Sequence, residues 1–180
     1  MRRVFVSNLS SLDGFFEGSD KKLDWFVLDE EFFDYSRAML RSVDTILFGR
    51  DTYLHMAAYW PTAPADEIAD KMNNLPKIVF SKTLPSADWR NSTLVRGDAA
   101  TEVARLKQLP GRDMVILGSA ALTSSLLQAG VIDEYRVILM PILIGRGNPL
   151  FPNMRQRLRL KLSKVQPLAS GVVILYYECQ

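Results

Sequence analysis

The chain has 180 residues, with 22 Lys and Arg against 20 Asp and Glu for a formal charge of +2, and is 48% hydrophobic and 23% charged. That balance fits one globular domain over residues 1–180 and excludes disordered or collagen-like polymers, and the weak net charge supplies no field to hold nucleic acid or an anionic membrane. A lone cysteine, Cys179, and a lone histidine, His55, exclude an intrachain disulfide, a Cys-based zinc site and a multi-histidine metal centre or His-based triad.

Residues 1–10 carry Arg2 and Arg3 but no apolar run of signal-peptide length. The longest strongly apolar stretch, 137–144, is far shorter than the ~20 residues that cross a bilayer, so the expectation is a soluble, cytoplasmic protein. Residues 3–9 read as a strand and 10–22 as a polar loop containing Asp13-Gly14 and Glu17-Gly18. Asp29 caps a predicted helix, with acids at its start, Arg37 and Arg41 toward its end, and Phe32, Tyr35, Met39 and Val43 on one apolar face. A strand at 44–48 leads through Gly49-Arg50-Asp51-Thr52 into a helical stretch from Tyr53, broken by Pro61 and Pro64. Residues 66–73 can form a further helix, 77–81 a strand and 93–96 a weak strand. Asp98 caps the helix that stops before Pro110-Gly111. A buried strand at 114–117 runs through Gly118-Ser119 into a helix ended by Gly130.

After Asp133 three strands follow without a helix, at 134–141, 157–165 and 172–178. In the second, Arg157, Arg159 and Lys161 alternate with Leu158, Leu160 and Leu162, which gives one wet face, and the last two strands can form a hairpin around 167–171. The sum is an α/β fold of about eight strands and four helices: a mixed, mostly parallel sheet with helices on its faces.

No G-x-G-x-x-G follows the first strand, and G-x-x-x-x-G-K-[ST], H-E-x-x-H and G-x-S-x-G are missing too. What remains is a set of strand-to-helix corners, the places where open α/β sheets bind ligands. Gly49, Arg50 and Thr52 combine backbone access with donors at a helix start. Ser81 and Lys82 put a hydroxyl and a cation at a strand end, and Gly118, Ser119 and Ala120 let a phosphate or ribose lie against the backbone. Asp13, Asp29, Glu30 and Asp34 are acids that could relay a proton, or simply cap a helix or meet solvent.

Taken in order, Ser11-Leu12-Asp13-Gly14, Gly49-Arg50-Asp51-Thr52-Tyr53, Phe80-Ser81-Lys82-Thr83-Leu84, Leu117-Gly118-Ser119 and Pro141-Ile142-Leu143-Ile144-Gly145-Arg146-Gly147 resemble the RibD C-terminal reductase family of the dihydrofolate reductase-like superfamily. The resemblance implies a three-layer domain with an eight-stranded mixed sheet and four helices. It also implies NADPH along the strand ends and hydride transfer to a small pyrimidine- or pteridine-type heterocycle, as in riboflavin or folate metabolism. Gly49, Arg50 and Thr52 would then meet the cofactor phosphates, Ser81 and Lys82 its 2′-phosphate, and Gly118, Ser119 and Ala120 its pyrophosphate and nicotinamide ribose. Asp13 would sit in a mobile loop over the nicotinamide. The proton donor would be Glu30, five positions after Trp25, or Asp29, which is followed at four by Phe33. Residues 141–147 and the last two strands imply a homodimer. The alternative from another class is a non-catalytic module that binds NADPH or another nucleotide.

Overall fold

The computed structural model describes residues 1–180, and its sheet core follows from runs of β-branched and aromatic residues that no helix period can bury. The strands are β1 (Val4–Ser11), β2 (Phe15–Gly18), β3 (Val43–Gly49), β4 (Lys77–Phe80), β5 (Ser92–Val95), β6 (Asp113–Leu117), β7 (Glu134–Met140), β8 (Gly147–Pro149), β9 (Leu160–Pro167) and β10 (Val173–Cys179). The helices are α1 (Glu30–Ser42), α2 (Arg50–Tyr59), α3 (Glu67–Asn74), α4 (Ala99–Lys107) and α5 (Ala120–Gln128). Asp29, Asp66 and Asp98 cap α1, α3 and α4 by accepting from Phe32, Ala69 and Thr101 N–H groups.

Eight strands form one sheet in the order β5-β4-β3-β6-β1-β7-β10-β9. Every pair is parallel except the two made by β10, so the sheet is mixed and mostly parallel, as expected. Two large apolar clusters cover its faces. Phe5, Ile46, Phe48 and Val115 pack with α1, α2 and α3 on one side, and Val4, Val6, Leu47 and Ile116 pack with α4 and α5 on the other. No helix is long and apolar enough to cross a membrane.

Three expectations need correction. There are five α-helices rather than about four, and the Gly49 corner opens directly into α2 at Arg50, three residues before the helical stretch expected from Tyr53. The segment 10–22 is not wholly loop: β2 pairs antiparallel with β8, neither of which local patterning shows. The predicted strand at 157–165 begins later, at Leu160, and its apolar side is not buried within the chain. As an edge strand it has no helix beyond it, and Leu162 and Val165 are each 49% exposed.

Candidate functional site

Adjacent strands β3 and β6 send their connections opposite ways, β3 through α2 and α3 to one face and β6 through α5 to the other. This reversal opens a crevice at the strand C-terminal ends, the place where doubly wound sheets take ligands. The two corners that flank it are bolted together. Gly49 N–H donates to Ser119 Oγ at 2.8 Å, and Ser119 N–H donates to Thr52 Oγ1 at 2.8 Å. The bonds hold the N-termini of α2 and α5 side by side, so the unpaired first-turn N–H groups of both helices border one crevice.

Gly118 and Ser119 both have left-handed backbones, with φ of +61° and +57°. A Cβ on Gly118 would stand 2.8 Å from Thr52 Cγ2, so the fit of the two corners requires glycine. A Cβ on Gly49 would meet only ordinary contacts at 3.5 Å, so nothing inside the chain requires glycine there. An open glycine between two helix N-termini is the arrangement a pyrophosphate fits.

Below this corner, at the end of β4, Ser81 Oγ accepts from Thr83 and Leu84 N–H, which fixes the turn. Arg50 donates to Thr83 Oγ1 at 3.0 Å and pairs with Asp51, joining the β3 and β4 corners at the rim. Lys82 is exposed beside them and does not line the cleft wall.

The crevice widens into a cleft of about 900 Å³. Gly49, Arg50, Thr52, Ser81, Gly118, Ser119 and Ala120 all line it, so the structure brings together the cofactor residues expected from sequence, with Lys82 at the edge. Leu9, Phe26, Phe32, Phe33, Met56 and Trp60 make its apolar wall. The β2–β8 ribbon lies across the mouth and contributes Phe16 and Asn148. Of the other aromatic residues, Tyr53 is core, accepting from Trp89 N–H, and Trp25 packs in a third apolar cluster behind the wall.

The three expected acids lie elsewhere. Asp29 is the α1 cap, and the nearby Ser170 hydroxyl, with the hydrogen bond from Phe32 N–H, holds its carboxyl below the usual range. Glu30 points outward and pairs with Arg37. Asp13 accepts from Gly145 and Ile144 N–H, and the Ser11 hydroxyl is the largest influence holding its carboxyl low, so it pins the 11–14 turn to the 142–150 segment. None of the three lines the cleft. Local backbone N–H groups and a neighbouring guanidinium claim these carboxylates, which corrects their expected placement at the reacting centre.

Sequence reasoning missed Ser7 and Tyr35, which do line the cleft. Tyr35 Oη and Ser7 Oγ are 2.9 Å apart, both residues being buried. The spacing in α1 places Tyr35 on the helix's apolar face. The available signal was Ser7, a hydroxyl inside an otherwise buried strand, which needs a partner.

The RibD C-terminal domain family matches residues 2–174. Protein YyaP of Bacillus subtilis (strain 168) is 32% identical over 98% of this chain and 95% of its own length. Among solved structures, a candidate riboflavin biosynthesis protein from Shewanella sp. PV-4 superposes with a TM-score of 0.79 at 22% identity, covering 99% of both chains. A diaminohydroxyphosphoribosylaminopyrimidine deaminase/5-amino-6-(5-phosphoribosylamino)uracil reductase from Thermotoga maritima gives a TM-score of 0.74 at 14% identity, covering 99% of this chain and 57% of that one.

Proposed function

As the chain belongs to the RibD C-terminal domain family, we propose that it is a cytoplasmic NADPH-dependent reductase that moves a hydride to a small heterocyclic or carbonyl acceptor. The observation that carries this reading is the interlock of Gly49, Thr52 and Ser119, which sets two helix N-termini around an open glycine at the mouth of an apolar cleft. When bound, the cofactor supplies the hydride. Gly49, Arg50, Thr52, Gly118, Ser119 and Ala120 hold its phosphates and ribose, and the apolar wall with the β2–β8 ribbon excludes water from the reacting carbon. Arg50 and the exposed Lys82, with the Ser81 hydroxyl between them, form the rim that favours a 2′-phosphate. The activity in the Thermotoga protein's name, reduction of 5-amino-6-(5-phosphoribosylamino)uracil, is of this class.

Calorimetric titration with NADPH and NADH tests the reading. NADPH is expected to bind more tightly, and Lys82→Ala to weaken NADPH by about tenfold while leaving NADH unchanged, the loss of one charge-assisted contact. Absence of binding by either cofactor would overturn the reading.

The expected partner is a second copy of the chain. On the side of β9 and β10 away from α1, Leu162 and Val165 stand opposite Tyr177 and Leu175 in register and extend the core's apolar surface to the edge of the sheet. Sedimentation should show a dimer at micromolar concentration, and Leu162→Asp with Val165→Asp should give a folded monomer. A monomeric wild-type chain would refute the pairing.

A further inference from the structure

The cleft is bordered by five charged or imidazole side chains, those of Glu17, Lys21, Arg50, Asp51 and His55, and none is buried. Glu17 accepts from Asn148 within the ribbon, and Arg50 is tied to Asp51 and Thr83 at the cofactor rim. The buried hydroxyls on the wall are those of Ser7, Tyr35 and Ser119, and Ser119 is committed to the corner, accepting from Gly49 N–H and donating to the Leu117 carbonyl. Ser7 is in register with Leu117 of β6 on one side and Arg136 of β7 on the other. The Ser7 side chain therefore stands one strand, about 5 Å, from the strand end that turns into Gly118.

Behind Tyr35 lies a second cavity. A groove of about 600 Å³ runs between α1 and β10, and Tyr35 lines both it and the cleft, so the ring is part of the wall between them. Arg136 lies on the groove side, its guanidinium 3.8 Å from the Phe5 ring centroid and 5.2 Å from that of Tyr176. Its charge acts on Tyr35, and Glu134 holds it at 2.6 Å. The other charged groups facing the groove are Lys164, over Tyr176, Glu31, whose carboxylate accepts from Ala169 N–H, and Asp34, paired with Arg37.

Resting on the reductase reading above, we propose that Tyr35 gives the proton to the acceptor, that Ser7 and Arg136 position and support it, and that the acceptor is an uncharged carbonyl compound. As the carbonyl carbon gains the hydride, its C–H bond forms and the C=O π pair moves to oxygen. The oxygen takes the proton as the Tyr35 O–H bond breaks, and the phenolate left is held by the Ser7 hydroxyl and the Arg136 charge. Water entering by the groove returns a proton to Tyr35 without opening the cleft.

Burial raises the Tyr35 hydroxyl above the ordinary tyrosine value, which keeps it protonated through neutral pH, and Arg136 and Ser7 oppose that rise. Cleft chemistry fixes the acceptor class. No buried carboxylate is available to pair with a protonated ring, and of the two bordering cations Arg50 is tied down at the cofactor corner and Lys21 is exposed beyond the end of β2. An apolar slot with one hydroxyl donor selects a neutral carbonyl.

The probe is phenanthrenequinone, a neutral aromatic dicarbonyl, compared with dihydrofolate and 5-amino-6-(5-phosphoribosylamino)uracil, each with NADPH. The dicarbonyl should be reduced fastest. Tyr35→Phe should lower kcat by roughly 100- to 10,000-fold while the NADPH Kd stays within about twofold. Calorimetry without cofactor should show the dicarbonyl binding about three- to tenfold more weakly to Tyr35→Phe, the loss of one hydrogen bond. Arg136→Gln should lower kcat at unchanged KM, with partial rescue in Arg136→Lys. Ser7→Ala, which removes only the partner hydroxyl, should lower kcat about tenfold and provides the test should Tyr35→Phe not fold.

Full turnover in Tyr35→Phe or Ser7→Ala, or faster reduction of either charged acceptor, would overturn this assignment and leave the reductase reading standing. Wild-type protein that binds NADPH but neither binds nor reduces the dicarbonyl would overturn it too. Failure of the wild-type chain to bind NADPH would bring down the reductase reading, and this assignment with it.

Discussion

Gly118→Ala is expected to weaken NADPH binding by at least about tenfold and to cost about 1–3 kcal/mol of stability. Two effects act at once. Alanine resists the +61° φ of this position, and its methyl would press on Thr52 Cγ2 at 2.8 Å and Oγ1 at 3.0 Å. Thr52 cannot retreat without losing the 2.8 Å bond from Ser119 N–H, and a displaced Ser119 would release Gly49. Strain at one residue is therefore passed to both helix N-termini. Gly130 provides the control: its φ is +67°, but no atom lies within 4 Å of an added Cβ. Gly130→Ala should show the left-handed penalty of about 1 kcal/mol in thermal unfolding and leave the NADPH Kd unchanged. Equal losses of affinity in both variants would show that backbone strain alone, and not the corner interlock, governs the site.

The same corner shows what a sequence can reveal. Gly49, Gly118 and the helix starts after them are local signals, and the chain order of strands and helices puts both at the carboxyl end of the sheet, so the residues that line this crevice are legible in the sequence. The β2–β8 ribbon is not, since four residues pair with three lying about 130 positions away and neither segment has a period of its own. Tyr35 and Ser7 were hidden for another reason. Each fits an apolar pattern in its own element, and only packing α1 on β1 turns two apparent core positions into a hydroxyl pair at a cavity wall. The acids misled in the opposite sense. A carboxylate at a helix start satisfies the local rule for a cap and the family pattern for a donor equally well, and Asp29 was taken by the cap.

Lys77 was the least legible residue, and Lys77→Met is expected to destabilise the protein by about 2–4 kcal/mol at pH 7, or roughly 6–12 °C in Tm. A lysine opening a short strand reads as a solvated edge, yet this one is 0% exposed. Its ammonium donates to the carbonyls of Asn73, Leu75 and Arg90 at 3.1, 2.7 and 3.1 Å, and lies 4.4 Å from the Trp89 ring centroid. It thus caps the C-terminal end of α3 and ties it to the 84–91 loop, where Trp89 also bonds Asn73 and Tyr53. Methionine keeps the apolar stem and strands the carbonyls. Because β4 runs from Lys77 to the Ser81 turn, the variant should also loosen the rim at Ser81 and Lys82.

The charge itself is held at a cost. Burial, and secondarily the Arg90 charge, push the ammonium down to about 8 from an ordinary 10.5. Between those values the unfolded chain binds a proton that the folded chain has released, so the Lys77 contribution is largest above pH 10.5 and declines as pH falls through about 8. Urea unfolding at pH 8 and pH 9 should therefore show the gap between wild type and Lys77→Met widening by up to about 1 kcal/mol. A gap that stays constant would mean that the three carbonyls hold the ammonium at its ordinary affinity for the proton, and that the buried lysine acts as a helix cap without any linkage to pH.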